Sequence, residues 1–289
     1  MSHILIVGIA TLDIINIVDH YPDEDEEIRA LSQRIECGGN AANTASILAQ
    51  CGHKIEFAGT LADEPDGHRI QNQLIARHVA TDYCRFVQGR KVPTSYITLN
   101  QKTGSRTIVH YRDLPEYEYE HFKQIPLEAF DWFHFEGRNI PEVKQMLFDT
   151  QQRRVDQPIS LEIEKEREDI HDLLPLADIL LFSKSFATGR GFDNAPEFFE
   201  VIRRLAPDAM LVCTWGEQGA WLRDNNNTEY HVPAYPPPRV IDTLAAGDTF
   251  NAGIIHSLSN GNTLLEAVIY ASQLAGMKVG QSGIDGLKI

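Results

Sequence analysis

Asp242-Thr243-Leu244-Ala245-Ala246-Gly247-Asp248-Thr249-Phe250-Asn251-Ala252-Gly253 places small residues just ahead of an acid, and a helix begins there. Phe250, Ile254 and Leu258 fall at i, i+4 and i+8, one apolar stripe, and Asn260-Gly261 supplies a stop. The first N–H groups of a helix lack internal partners, and the dipole adds positive potential. Small side chains let an anion approach the amides of Ala245, Ala246 and Gly247, so the turn suits a phosphate. A carboxylate repels phosphate unless it takes a proton from the hydroxyl that attacks it. Asp248 at this position therefore points to transfer of a phosphoryl group to an alcohol. The competing reading, that Asp242 or Asp248 only caps a helix, stays open on this stretch alone.

The chain around it has 289 residues, 43% hydrophobic and 23% charged, an ordinary globular composition. A net charge of −15 with no basic block argues against nucleic acid as a partner. Cys37, Cys51, Cys84 and Cys213 form no CxxC pair, which suggests free thiols rather than zinc or disulfides. The N-terminal run reads as a buried strand and not a signal peptide. No stretch is long enough to span a membrane, so a cytoplasmic location is expected.

Strand-like runs alternate with helical patterns. Residues 4–9, 54–59, 130–135, 159–163, 179–182 and 210–214 are apolar and end in polar or glycine residues. Helical periodicity covers 67–78 (Ile70, Leu74 and Ile75 inward), 143–153 and 197–205, and Thr263 opens a capping box for a last helix toward Val279. Such alternation gives a doubly wound, mostly parallel sheet with ligands beyond the strands' carboxyl ends. Asp13 lies just past the first strand, where it meets a ligand or caps a turn. Residues 28–32 alternate as a short strand, and 95–99 with 107–111 form a hairpin. Arg106 in its loop reaches an anion or is solvated.

Gly38-Gly39-Asn40-Ala41-Ala42-Asn43-Thr44-Ala45 is a second dense motif. Its glycines permit close backbone approach. Asn40 and Asn43, three apart at a helix start, suit the vicinal hydroxyls of a polyol. The alternative is an N-cap at Asn40 and a solvated Asn43.

In this order and at this separation, the two motifs resemble the paired signatures of the ribokinase-like (phosphofructokinase-B) carbohydrate kinases. The likeness is greatest to members that phosphorylate ketohexoses. It extends through Asp25–Arg34, Ser105–Val109, His134–Asn139, Phe182–Lys184, Pro236–Leu244 and Gly283–Gly286. The resemblance implies an α/β ribokinase-like fold in one domain over 1–289, a doubly wound mostly parallel sheet flanked by helices. A small β-sheet lid would be inserted at about 12–36 and 91–112, often clasping a second subunit as a homodimer. It implies transfer of the γ-phosphoryl group of ATP, with Mg2+ and K+ as ions to consider, to a ketohexose, fructose giving fructose 1-phosphate. Mapped onto this chain, Asp248 is the general base and Ala245, Ala246 and Gly247 the anion hole. Asp13, Asp25, Gly39, Asn40 and Asn43 hold the sugar. Arg106, Lys184, Gly216, Glu217, Gln218 and Gly219 meet the nucleotide, and Glu164 meets the metal, directly or through water; Asn139 sits at a neighbouring strand end. The family usually has glycine where this chain has Ala245, which costs on the order of 1 kcal/mol if that residue needs φ > 0.

A kinase of the same fold for another sugar or a nucleoside is the alternative, although residues 12–43 offer no clear aromatic platform for a base. A sugar-binding regulator that has lost catalysis is another, supported only by Ala245. A dinucleotide-linked dehydrogenase would want G-x-G-x-x-G after the first strand, which Gly8-Ile9-Ala10-Thr11-Leu12 does not supply.

Overall fold

The computed structural model describes residues 1–287. Nine strands form one sheet in the order Glu229–Val232, Ala220–Arg223, Met210–Thr214, Ile179–Phe182, Ile159–Ile163, Trp132–Glu136, His3–Val7, Lys54–Ala58, Val79–Ala80. The seven from Met210–Thr214 onward pair in parallel, and the first two are antiparallel. The central strands are apolar throughout because helices cover both faces. One core lies beneath the helices Asn40–Gln50, Pro65–Ala76, Ala246–Ser259 and Leu264–Val279. The other lies beneath Ile140–Arg153 and Ala195–Leu205. The sheet is thus doubly wound, as the strand–helix alternation predicts.

A separate four-stranded sheet runs Ser32–Gly38, Thr11–Val18, Thr94–Asn100, Arg106–Tyr111. Its last two strands are the expected hairpin, and Gly104 takes φ 68° in the turn. The short strand expected at 28–32 is absent: those residues are irregular, and the strand begins at Ser32. Pairing with Thr11–Val18 decides the register, and the alternation that satisfies it continues through Ile35 and Cys37. In the Pro65–Ala76 helix Ile70 and Leu74 are buried, but Ile75 is exposed, a residue's turn past the apolar stripe. The capping box at Thr263 is present, its side chain bonded to the Glu266 amide and Glu266 bonded back. All four cysteines are free. Among the described residues no helix is long and apolar enough to cross a membrane.

Candidate active site

The small sheet leans over the carboxyl ends of the large one and encloses a cleft of about 590 Å3. Both sequence motifs open into it. The turn before Ala246–Ser259 has Ala245 at the helix cap with φ 57° and ψ 14°, in the left-handed region. That is the conformation for which glycine would be the unstrained residue. Neither aspartate caps the helix, so the capping alternative fails. Asp248 sits in the first turn, buried, and accepts a 2.8 Å hydrogen bond from Asn43 Nδ2. The solvated alternative for Asn43 therefore fails too.

Asp242 lies outside the cleft's lining and is almost wholly buried beneath the turn. Its Oδ1 accepts from the Leu244 amide at 2.9 Å, and its Oδ2 from the Gly283 amide at 3.1 Å and from Arg34. The fully buried Lys278 ammonium donates to its carbonyl oxygen at 2.9 Å and stands 3.4 Å from Oδ2. The turn is held from below by this charged cluster.

The Gly38-Gly39 pair is where two chains come too close for side chains. A Cβ on Gly38 would lie 1.9 Å from Asp13 Oδ2, and one on Gly39, at φ 96°, 2.6 Å from the Ile9 carbonyl oxygen. Asn40 begins the helix, with Gly39 in the cap position. Its Nδ2 donates to Glu162 at 3.0 Å and to Glu164 at 3.1 Å. Glu162 is an acid inside an apolar strand, and Glu136 ends the neighbouring one; both are buried. Sequence reasoning overlooked both, though an acid within Ile159-Ser160-Leu161-Glu162-Ile163 is a signal, since a two-sided buried strand has no water for it.

These carboxylates push one another's proton affinities up. Burial raises the pKa of Asp248 to about 7, helped by Glu164, Glu136 and Asp13 and opposed by the Asn43 hydrogen bond. Burial lifts Glu162 well above the usual carboxylate range, with Asp248, Glu136 and Glu164 adding to it and the Asn40 hydrogen bond opposing. Burial also raises Asp13, against hydrogen bonds from Thr11 and Ser95. A carboxylate poised near neutrality beside an amide-rich turn can take a proton from a bound alcohol.

Of the expected site residues, Asp13, Gly39, Asn40, Asn43, Arg106, Glu164, Lys184, Ala245, Ala246, Gly247 and Asp248 line this one cleft. Arg106 is exposed at the start of its strand and donates to Thr243 Oγ1 at 2.8 Å, which ties it to the turn. Asp25 is not brought there: it occupies an exposed turn at φ 62° instead of a strand, since pairing in its sheet starts only at Ser32. Gly216, Glu217, Gln218 and Gly219 form a short turn whose residues lie beyond the cleft's lining, which on that side ends at Thr214. Asn139, at φ 41°, caps Ile140–Arg153 and bonds the Tyr117 carbonyl. Residues that join the lining without having been singled out include Thr11, Ser95, His110, Arg167 and Asn251.

A polar wall facing an anion-accepting turn across one cleft suits a carbohydrate kinase, a phosphotransferase with an alcohol acceptor, and the relatives bear that class out. The chain belongs to the pfkB family carbohydrate kinases, whose profile matches residues 1–287. It is 40% identical to mouse ketohexokinase over 298 aligned residues, covering 99% of each protein. It is 27% identical to ribokinase of Bacillus subtilis, covering 99% of this chain and 96% of that one. Among solved structures, ribokinase of Arabidopsis thaliana complexed with ribose and ATP superposes with a TM-score of 0.79 at 23% identity, over 98% of this chain and 94% of that one. Ribokinase of Giardia lamblia gives a TM-score of 0.87 at 18% identity, over 98% and 95%.

Proposed function

We propose that the chain is an ATP-dependent ketohexokinase that converts fructose to fructose 1-phosphate, as the full-length likeness to mouse ketohexokinase suggests. The observation that carries the mechanism is Asp248, buried at the helix start, bonded to Asn43 and facing the same cleft as the anion-accepting turn. Asn43, Asn40, Gly39 and Asp13 hold sugar hydroxyls. Asp248 takes the proton of the attacking hydroxyl as its oxygen bonds to the γ-phosphorus. The bond from that phosphorus to the β,γ-bridging oxygen breaks, and ADP leaves with its electron pair. Negative charge on the transferring group meets the amides of Ala245, Ala246 and Gly247, with Arg106 and Lys184 lending positive potential. Gly216, Glu217, Gln218 and Gly219 serve the outer, nucleoside end.

The residues present fit Mg2+ held largely through water. Glu164 lines the cleft, and Glu162 Oε2 is buried without a hydrogen-bond partner. Among the described residues no three His, Cys, Asp or Glu side chains are grouped to ligate a metal directly. These oxygens suit a hard ion that keeps several waters, which would supply charge neutralisation to the phosphates when bound.

The small sheet, inserted at about 12–36 and 91–112 of a single 1–289 domain, acts as a lid. Its outer face exposes Tyr96, Val109 and Tyr111, and a second copy of the chain covers it. Val109→Glu should turn dimer into monomer in sedimentation; a monomeric unmodified protein excludes that arrangement.

The test of function is ATP consumption with Mg2+ on fructose, tagatose, ribose, fructose 6-phosphate and adenosine, the product identified by NMR. Fructose-dependent turnover to the 1-phosphate is expected. Turnover on another member corrects the substrate and keeps the mechanism. Sugar binding without turnover on any member points to a regulator and overturns the reading.

A further inference from the structure

The register of the small sheet aligns four polar residues in one row across all four strands. Asp13 pairs with Glu36 on one side and Ser95 on the other, and Ser95 pairs with His110. Residues in such a row project from the same face of the sheet. That face is the cleft side, since Asp13, Ser95 and His110 all line the cavity. The next row on this face is Arg34, Ile15, Ile97 and Ile108, mostly apolar. The row after it ends in Arg106, which reaches the anion-accepting turn through Thr243. Along Arg106–Tyr111 the cleft therefore meets a guanidinium, then an isoleucine, then an imidazole. Arg106 and His110 stand about 13 Å apart at the usual rise of a strand.

We infer that His110 is a specificity-determining residue, accepting a hydrogen bond from a sugar hydroxyl on the side away from phosphoryl transfer. The proposal rests on the ketohexose kinase reading. His110 Nδ1 lies 3.2 Å from Ser95 Oγ. Ser95 stands opposite Asp13 in the ladder and helps hold down its pKa. An acidic Asp13 can only accept, so the Ser95 hydroxyl directs its proton there, and the serine oxygen accepts from His110. This order puts the imidazole proton on Nδ1 and leaves Nε2 as an acceptor. The ring stays neutral at ordinary assay pH, because burial and the cations of Arg112, Arg138 and Lys165 push its pKa down. One wall of the sugar site thus presents the Asp13 carboxylate and an imidazole lone pair, linked through a single serine. A polyol with hydroxyls spaced to reach both is the ligand such a pair selects.

The experiment is a cycle between protein variants and deoxy sugars, run on the full chain. His110→Ala should raise KM for the ketohexose about three- to tenfold, the weight of one neutral hydrogen bond, with kcat and KM for ATP little changed. His110→Gln, whose amide reaches the Nε2 position, should recover most of the loss. Against a series of deoxyketoses, one member should give equal KM with both proteins, which marks the hydroxyl that His110 reads. A penalty equal for every deoxy sugar, an equal rise in KM for ATP, or a fall in Tm alone would overturn the role. If the unmodified protein turns over a different sugar, the ketohexose reading fails by itself, and the same cycle on that sugar decides about His110.

Discussion

The two sheets carry chemistry in different ways. In the nine-stranded sheet every central strand is buried on both faces, and its working groups sit at strand ends and at the turn after Asp242. In the four-stranded sheet the working groups sit within the strands, on one face, spaced by the pleat. A change in the first region disturbs an end that several elements share. A change in the second alters one side chain in a row and leaves the backbone ladder intact. Substitutions at the rim of the large sheet should therefore move turnover and stability, and those in the small sheet should move the sugar's KM, as proposed for His110.

Lys278 tests the first half of that contrast most severely. Its ammonium is fully buried beneath the turn, with Asp242 as its partner. Lys278→Met keeps the length and removes the charge, so Asp242 loses a donor without access to water. A loss of about 3 kcal/mol in unfolding free energy is expected, the lower end for breaking a buried pair, because Arg34 and two amides still serve Asp242. Urea unfolding measures it. A loss as small as that of an exposed ion pair would mean that the turn is not held from below.

Asp248→Asn comes next. It should cut turnover by at least ~100-fold, the usual weight of a general base, while the fold persists. Near-normal turnover would remove Asp248 from that role. The pH dependence has a definite sign. Catalysis needs the carboxylate, so kcat/KM of the unmodified protein should rise as pH climbs through about 7. Stability moves the other way. The folded pKa exceeds the unfolded one, so the folded state holds the proton longer and loses stability as pH rises between the two values. Asparagine carries no such cost, so Asp248→Asn should match or exceed the unmodified Tm above pH 7 while turning over slowly.

The same contrast explains what the sequence could disclose. Asp242–Gly253 and Gly38–Ala45 are compact motifs whose residues stand close together in the chain, so their place at the cleft was legible, though the carboxylate partners of Asn40 and Asn43 were not. Strand alternation with helices made the large sheet legible as well. The row from Glu36 to His110 was not, because it joins residues 13, 36, 95 and 110 through register, and register is set by pairing between distant segments. The strand expected at 28–32 slipped to Ser32–Gly38 for that reason, and Asp25 was left in a turn outside the cleft. Glu162 was legible in principle, as an acid in a two-sided apolar strand. Its partner Asn40 belongs to another part of the chain, so its use was hidden.

Ala245 carries the smallest expected effect and the narrowest comparison. At φ 57° and ψ 14° it is the one left-handed residue in the anion-accepting turn, and it has a Cβ where glycine would have none. Left-handed backbone costs a non-glycine residue about 1–2 kcal/mol. Glycine returns part of that gain because its unfolded chain is more flexible, by roughly 0.5–1 kcal/mol. Ala245 also packs against the core, so its methyl is not idle. Ala245→Gly should then stabilise by no more than about 1 kcal/mol, a rise of roughly 2 °C in Tm for a chain of this size. Loss of the methyl also opens the amides to phosphate, and KM for ATP should fall while KM for the sugar stays. A fall in Tm would show that core contact outweighs backbone strain here. A change in the sugar's KM would mean that the turn and the small sheet are coupled, against the separation of roles that their geometry implies.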